Sequence, residues 1–274
     1  MMELYVFIQE DGSKNKNKTI MQGSDIMKMS SYEKECLYNM EEKIKAGNIY
    51  AMEEWATFYA LNYPQLVDEE KAAKILEYYE KAIEIGSFRA MLNLGFLYYR
   101  GNFVKQDYLK AMELYEMASH SDDEDIASIA ITNLAYCHYY GRDVPVDYEK
   151  AFTYYLKGAI RYNSVDCYFK LGDMYRYGYY VKKDDSFAYD FYRLAHENCY
   201  TNNEMYPDIL IRMGESYLEG IGVEVDYIKA LKFLSEAESY MYDKVYKQKD
   251  KLAVPVLEKL ENTISIAKEK IINN

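Results

Sequence analysis

Apolar positions recur along this chain with the period of an α-helix, and they recur in pairs. Ala90, Leu94 and Tyr98 are spaced by four and make one stripe of a helix. Ala111, Tyr115 and Ala118 make a second stripe after a short polar interval. Gly101 stands just past the first stripe, the place for a left-handed helix cap. Asp107 precedes the second, where a carboxylate accepts from the free backbone N–H groups of a helix start. Val104 pins the turn between them. The predicted unit is helix–turn–helix.

That unit repeats. Gly101, Val104, Asp107 and Ala111 have register equivalents in Gly141, Val144, Asp147 and Ala151, then Gly178, Val181, Asp184 and Ala188, then Gly220, Val223, Asp226 and Ala230. Upstream of each lies a second block: Leu94-Gly95 with Tyr98, Leu134-Ala135 with His138, Leu171-Gly172 with Tyr175, and Met213-Gly214 with Tyr217. Gly95 lies beside the stripe, where a missing side chain lets a partner helix approach closely. A looser copy runs through Trp55, Ala56 and Tyr59, with Asn62 in place of the glycine and Asp68 opening the next helix. Tyr32 to Lys45 reads as a lone second helix. The pattern predicts five first helices and six second helices, with longer loops at Ser121 to Asp125 and around Thr201 to Glu204.

Three segments follow from this reading: 1–30, a partly mobile stretch with Leu4 to Ile8 as a short strand or apolar plug; 31–240, the repeats; and 241–274, capping helices with a kink or break at Pro255. A repeat array needs such an end piece, apolar on one side and charged on the other.

The formal charge of −12 falls almost wholly in residues 48–240, which hold 19 basic against 32 acidic side chains. An acidic surface argues against a nucleic-acid partner, whose phosphates are held by Lys and Arg. No run reaches the roughly 18 apolar residues that a membrane span needs, so no membrane insertion is expected. The first residues lack the features of a secretion signal, and a cytoplasmic location is the expectation. Cys36, Cys137, Cys167 and Cys199 form no metal-type pair and do not recur in register, so free thiols are expected.

The combined spacing resembles the Sel-like (Sel-one-like) repeat, a relative of the tetratricopeptide repeat, over about residues 35–240. Its departures are Ala135 for glycine, His138 for an aromatic, Asp185 and Phe187 after one cap, and the loose first copy. A cysteine-rich secreted branch of that family carries a disulfide in each repeat. This chain lacks those pairs, and that branch's activities do not carry over. The resemblance implies an all-α, α/α superhelical solenoid of tetratricopeptide-like helix-turn-helix repeats, working as an adaptor that holds a protein or peptide on its concave face.

Helix geometry points to the same face. At about 100° per residue, positions opposite the packing stripe of each first helix line the groove. They are Leu92, Phe96, Tyr99 and Arg100; then Thr132, Tyr136, Tyr139 and Tyr140; then Phe169, Asp173, Arg176 and Tyr177; then Ile211, Glu215, Leu218 and Glu219. The groove should be aromatic with arginines in its middle and acidic at its C-terminal end. Tyrosine and arginine dominate interface hot spots, although each ring could instead pack on the next repeat, and Arg100 and Arg176 could be paired surface charges.

Chemistry is not visible. Gly220-Ile-Gly222 follows a helix and lacks a third glycine, so it is no dinucleotide loop. Asp122 to Asp125 reads as a solvated loop rather than a cation site. No cofactor, no metal and no enzyme activity are expected. A single-target inhibitor or immunity-type protein would share this sequence pattern. An enzyme or small-ligand binder would need converging titratable groups, for which Asp173, Glu215 and His138 are the weak candidates.

Overall fold

The computed structural model describes residues 30–273. The reading of residues 1–30 as a strand, plug or mobile stretch lies outside the described residues, apart from Ser30. That serine caps the first helix, its hydroxyl accepting from Glu33 N–H while the Glu33 carboxylate accepts from Ser30 N–H.

The fold is all-α, with tandem helices and no strand among the described residues. The chain divides into two compact units between Val146 and Asp147. The first holds α1 (Ser31–Lys45), α2 (Ile49–Thr57), α3 (Glu69–Glu84), α4 (Phe88–Arg100), α5 (Tyr108–Ala118) and α6 (Glu124–Tyr140). The second holds α7 (Tyr148–Tyr162), α8 (Val165–Tyr177), α9 (Asp185–Asn198), α10 (Tyr206–Glu219), α11 (Tyr227–Tyr242) and α12 (Ala253–Ile272). Even-numbered helices from α2 to α10 are the five first helices, and odd-numbered ones from α1 to α11 are the six second helices.

Local chemistry sets each boundary. Gly101, Gly141, Gly178 and Gly220 end their helices in the left-handed conformation, at φ 71°, 65°, 73° and 74°. Asp68, Asp107, Asp147, Asp184 and Asp226 open the second helices, each carboxylate accepting the N–H three residues on. Asp123, in the loop read as merely solvated, caps α6 in the same way. Each turn also contains a second left-handed residue that the periodicity did not predict: Phe103, Asp143, Tyr180 and Gly222. Only the last of these is a glycine, so in three turns the tertiary fold holds a side chain where glycine would be easier.

Close helix pairing explains Gly95, Gly172 and Gly214, which lie inside first helices. A methyl group on Gly95 would lie 2.8 Å from Tyr115 Cε1, and one on Gly214 would lie 2.6 Å from Leu234 Cγ. Tyr79, Tyr115, Tyr155 and Tyr192 are fully buried, one each in α3, α5, α7 and α9, and Leu234 takes that position in α11. Burying such a ring removes roughly 150–250 Å² from water, a large apolar contribution to its repeat.

Pro255 marks no kink. It is the third residue of α12, within the first turn, where its missing N–H has no intrahelical partner to lose. α12 buries Leu257, Leu260, Ile264 and Ala267 against α11 and so covers the apolar end of the second unit. The four cysteines are free thiols, and burial pushes Cys137 and Cys199 up to about 12.

Candidate functional site

In the first unit the face opposite the packing stripe is divided between buried and open side chains. Leu92, Thr132, Tyr99 and Tyr136 are buried, the two rings at 6 % and 4 % exposure. The expectation that these four stand open toward a partner is corrected. Tyr99 packs edge-on against Tyr108, and its hydroxyl accepts from Arg142 Nε at 3.2 Å, so the ring secures its own turn and the next. Thr132 donates its hydroxyl back to Ser128 O within α6. The open part of the face is Phe96, Arg100, Tyr139 and Tyr140. Arg100 is exposed, sits 5.9 Å from the Phe96 ring centre and makes no ion pair among the described residues. Tyr140 stacks on Tyr136 at 6.0 Å and meets Tyr139 edge-on at 4.7 Å, with the Arg142 guanidinium 5.5 Å away. Three half-buried rings with the exposed Arg100 guanidinium make an amphipathic surface.

In the second unit the same offsets carry charge, and the charges find each other. Arg212 Nε donates to Asp173 Oδ1 at 3.0 Å, and its Nη1 to Glu215 Oε2 at 3.2 Å. Arg176 Nη1 reaches Glu215 Oε2 at 2.7 Å and its Nη2 reaches Glu219 at 3.4 Å. Lys259 of α12 lies 3.6 Å from Glu215 Oε1. Burial disfavours the Glu215 carboxylate, but Arg212 and Arg176 outweigh it and hold its pKa below the ordinary value. Burial likewise opposes the Arg212 charge, and Asp173 and Glu215 reverse that and raise its pKa. The acidic groove end expected from the sequence is therefore a neutralised network, a second correction. Of the two arginines that geometry placed on the face, Arg176 is tied down and Arg100 is not. Phe169 is buried beneath Arg212, whereas Tyr177 is open at 48 % exposure beside Arg176.

The network has a repeat logic that the sequence reading missed. In the first repeat Tyr79 donates its hydroxyl to Thr57 Oγ1, which also accepts from Asn93 Nδ2 of the next repeat. In the fourth, Tyr192 donates to Asp173 Oδ1, which also accepts from Arg212 of the next repeat. Thr57 and Asp173 stand at the same register position, as do Asn93 and Arg212. In the second repeat Phe96 takes the acceptor's place, and the buried Tyr115 hydroxyl has no partner among the described residues. Lys259 faces Glu215 as Arg212 faces Asp173, so α12 stands where a sixth first helix would. The missed signal was the polar residue one position before each Leu94-type stripe residue.

A cavity of about 290 Å³ opens between α8, α10 and α12. Phe169, Ile211, Val256 and Leu260 supply apolar walls, and Asp208, Arg212, Glu215 and Lys259 supply charge. Among the described residues no group of His, Cys, Asp and Glu is arranged to hold a metal ion. No described helix is long and apolar enough to cross a membrane.

Five Sel1 repeats match the chain, at residues 49–87, 88–123, 128–162, 165–197 and 208–239, which is more than half of it. The chain belongs to the Sel1 repeat family. Two solved Sel1-type structures show the same fold. One is c5321, described as a protective antigen present in uropathogenic Escherichia coli strains and displaying an SLR fold, similar at 21 % identity and a TM-score of 0.63. The match covers 85 % of this chain and 48 % of that protein, so the chain spans about half its length. The other is a Sel1 repeat protein from Oxalobacter formigenes, at 23 % identity and a TM-score of 0.57, covering 81 % of this chain and 88 % of that one. No curated protein matches the sequence. Sel1 repeat proteins generally act in protein–protein interaction and are typically non-enzymatic.

Proposed function

We propose that this Sel1 repeat chain is a non-catalytic scaffold that binds a protein or peptide through the open aromatic face of its first unit. The observation that carries the reading is the contrast between the two units. Phe96, Arg100, Tyr139 and Tyr140 keep exposed ring and guanidinium surface outside the packing stripe, the residue types that anchor interfaces at low entropic cost. The carboxylates that an enzyme reading would need, Asp173 and Glu215, are engaged by Arg212 and Arg176, and Tyr192 also bonds Asp173. Partners of this kind hold both carboxylates within the packing of the repeats, and they favour the charged form of Glu215. Tyr177 is a separate contact point in the second unit, and the buried Leu92, Tyr99, Thr132 and Tyr136 shape the first unit's surface from beneath.

The test is capture of partner proteins from an extract of the native organism by immobilised chain. Arg100→Glu combined with Tyr139→Ala should lose the captured partner while the melting temperature stays near that of the parent. Unchanged capture by the folded double variant refutes the assignment to this face.

A further inference from the structure

The cavity between α8, α10 and α12 has an imbalance that the ion-pair network does not remove. Every cation on its wall is engaged: Arg212 by Asp173 and Glu215, and Lys259 by Glu215. Glu215 in turn is held by Arg176 and Arg212. Asp208 differs. It sits in the first turn of α10, faces the cavity and makes no hydrogen bond or ion pair among the described residues. Burial pushes its pKa up, an effect that the more distant charges of Lys244, Arg212 and Lys170 only partly offset. A partly buried carboxylate without a hydrogen-bond or ion-pair partner among the described residues is the group on this wall that an incoming cation would pair with.

We infer that this cavity is a binding site for one basic side chain, arginine above lysine, carried by the partner protein. The occupant follows from the walls. The charged wall residue left without a partner among the described residues is the Asp208 carboxylate, so the ligand is a cation. Phe169, Ile211, Val256 and Leu260 offer apolar surface for a methylene stem, while Asp208 stands ready for the charged head. A volume of about 290 Å³ lies at the small end of ligand sites, matching a single long side chain rather than a cofactor. A guanidinium is less strongly hydrated than an ammonium and pairs with a carboxylate through two donors, hence the order of preference. The site exists only because α12 walls it; α8 and α10 alone would leave an open slope. The inference rests on the protein-binding reading but uses different residues in the other unit.

The experiment titrates the full chain with acetyl-arginine amide, and with acetyl-citrulline amide as an uncharged probe of the same shape. Binding is followed by nuclear magnetic resonance at the methyl groups of Val256, Leu260 and Thr263. Saturable shifts with arginine, at least tenfold weaker with citrulline, are expected. Asp208→Asn should bring arginine binding down to the citrulline level. Val256→Trp, which fills the cavity from the exposed side of α12, should abolish both and guards against a folding defect at Asp208. Equal affinity for the two probes, absence of saturable shifts, or full arginine binding by folded Asp208→Asn overturns the inference. Failure here with face-dependent capture intact removes the cavity alone. Arginine binding as expected, with capture indifferent to Arg100 and Tyr139, removes the face alone.

Discussion

Gly172→Ala is a single methyl group placed where the second unit has no room for it. A Cβ on Gly172 would lie 2.5 Å from Tyr192 Cδ1 and closer still to Cε1, whereas ordinary contact begins at 3.4 Å. The ring or the helix must therefore move by nearly 1 Å. The ring is fully buried, and its hydroxyl donates to Asp173 at 2.8 Å, so it cannot swing aside without breaking that bond. Overpacking of this kind costs about 1–3 kcal/mol, and this geometry belongs near the upper end. Alanine in a helix interior is better than glycine by about 1 kcal/mol, which offsets part of the cost. The net expectation is a loss of about 2 kcal/mol in urea unfolding followed by circular dichroism. Gly95→Ala is the internal comparison, with a longer approach of 2.8 Å and a facing Tyr115 whose hydroxyl has no hydrogen bond to lose; about 1 kcal/mol or less is expected. In a Tyr192→Ala background the sign should reverse, because only the propensity gain remains. A Gly172→Ala variant as stable as the parent, or one equally harmful with and without the ring, would refute the packing argument.

Two further outcomes follow from the turns and the ion pairs. Gly141→Val should destabilise by about 1–3 kcal/mol, since a β-branched residue is strained at φ 65° and its Cβ would meet Val144 O at 3.0 Å; Lys105→Ala should leave the melting temperature unchanged, and equal melting of the two variants would contradict the cap geometry. Glu215 has a lowered pKa in the folded chain, so its contribution is complete above the unfolded value of about 4.5 and is lost as pH falls through the folded one. Acid unfolding of Glu215→Gln should therefore show a shallower loss of stability in that window than the parent, and parallel curves would mean that the ion pairs contribute nothing.

What could be read in the sequence is what the backbone decides locally. A glycine after the last stripe residue, an aspartate three residues before the N–H it caps, and an apolar stripe at helical spacing each act within one or two turns. Their fourfold register made the helix order and the Sel-like resemblance legible before any coordinates. Register also points each side chain in a direction, which is how Phe96, Arg100, Tyr139, Tyr140 and Tyr177 could be placed on the outward face. Direction is not exposure. Tyr99 points away from its stripe and is nevertheless buried, because Tyr108 and Arg142 cover it from the turns on either side. Asp173 and Glu215 looked like an acidic end because their neutralising partner, Arg212, lies 39 residues from Asp173 and meets it only when successive first helices stand side by side. Pro255 looked like a break because periodicity carries no marker for where α12 begins. The cavity at Asp208 has no trace in the sequence, since its walls come from three helices that only tertiary packing brings together. Local hydrogen bonds and helical period are properties of short segments; burial and charge pairing belong to neighbours distant in the chain, and only the folded molecule supplies them.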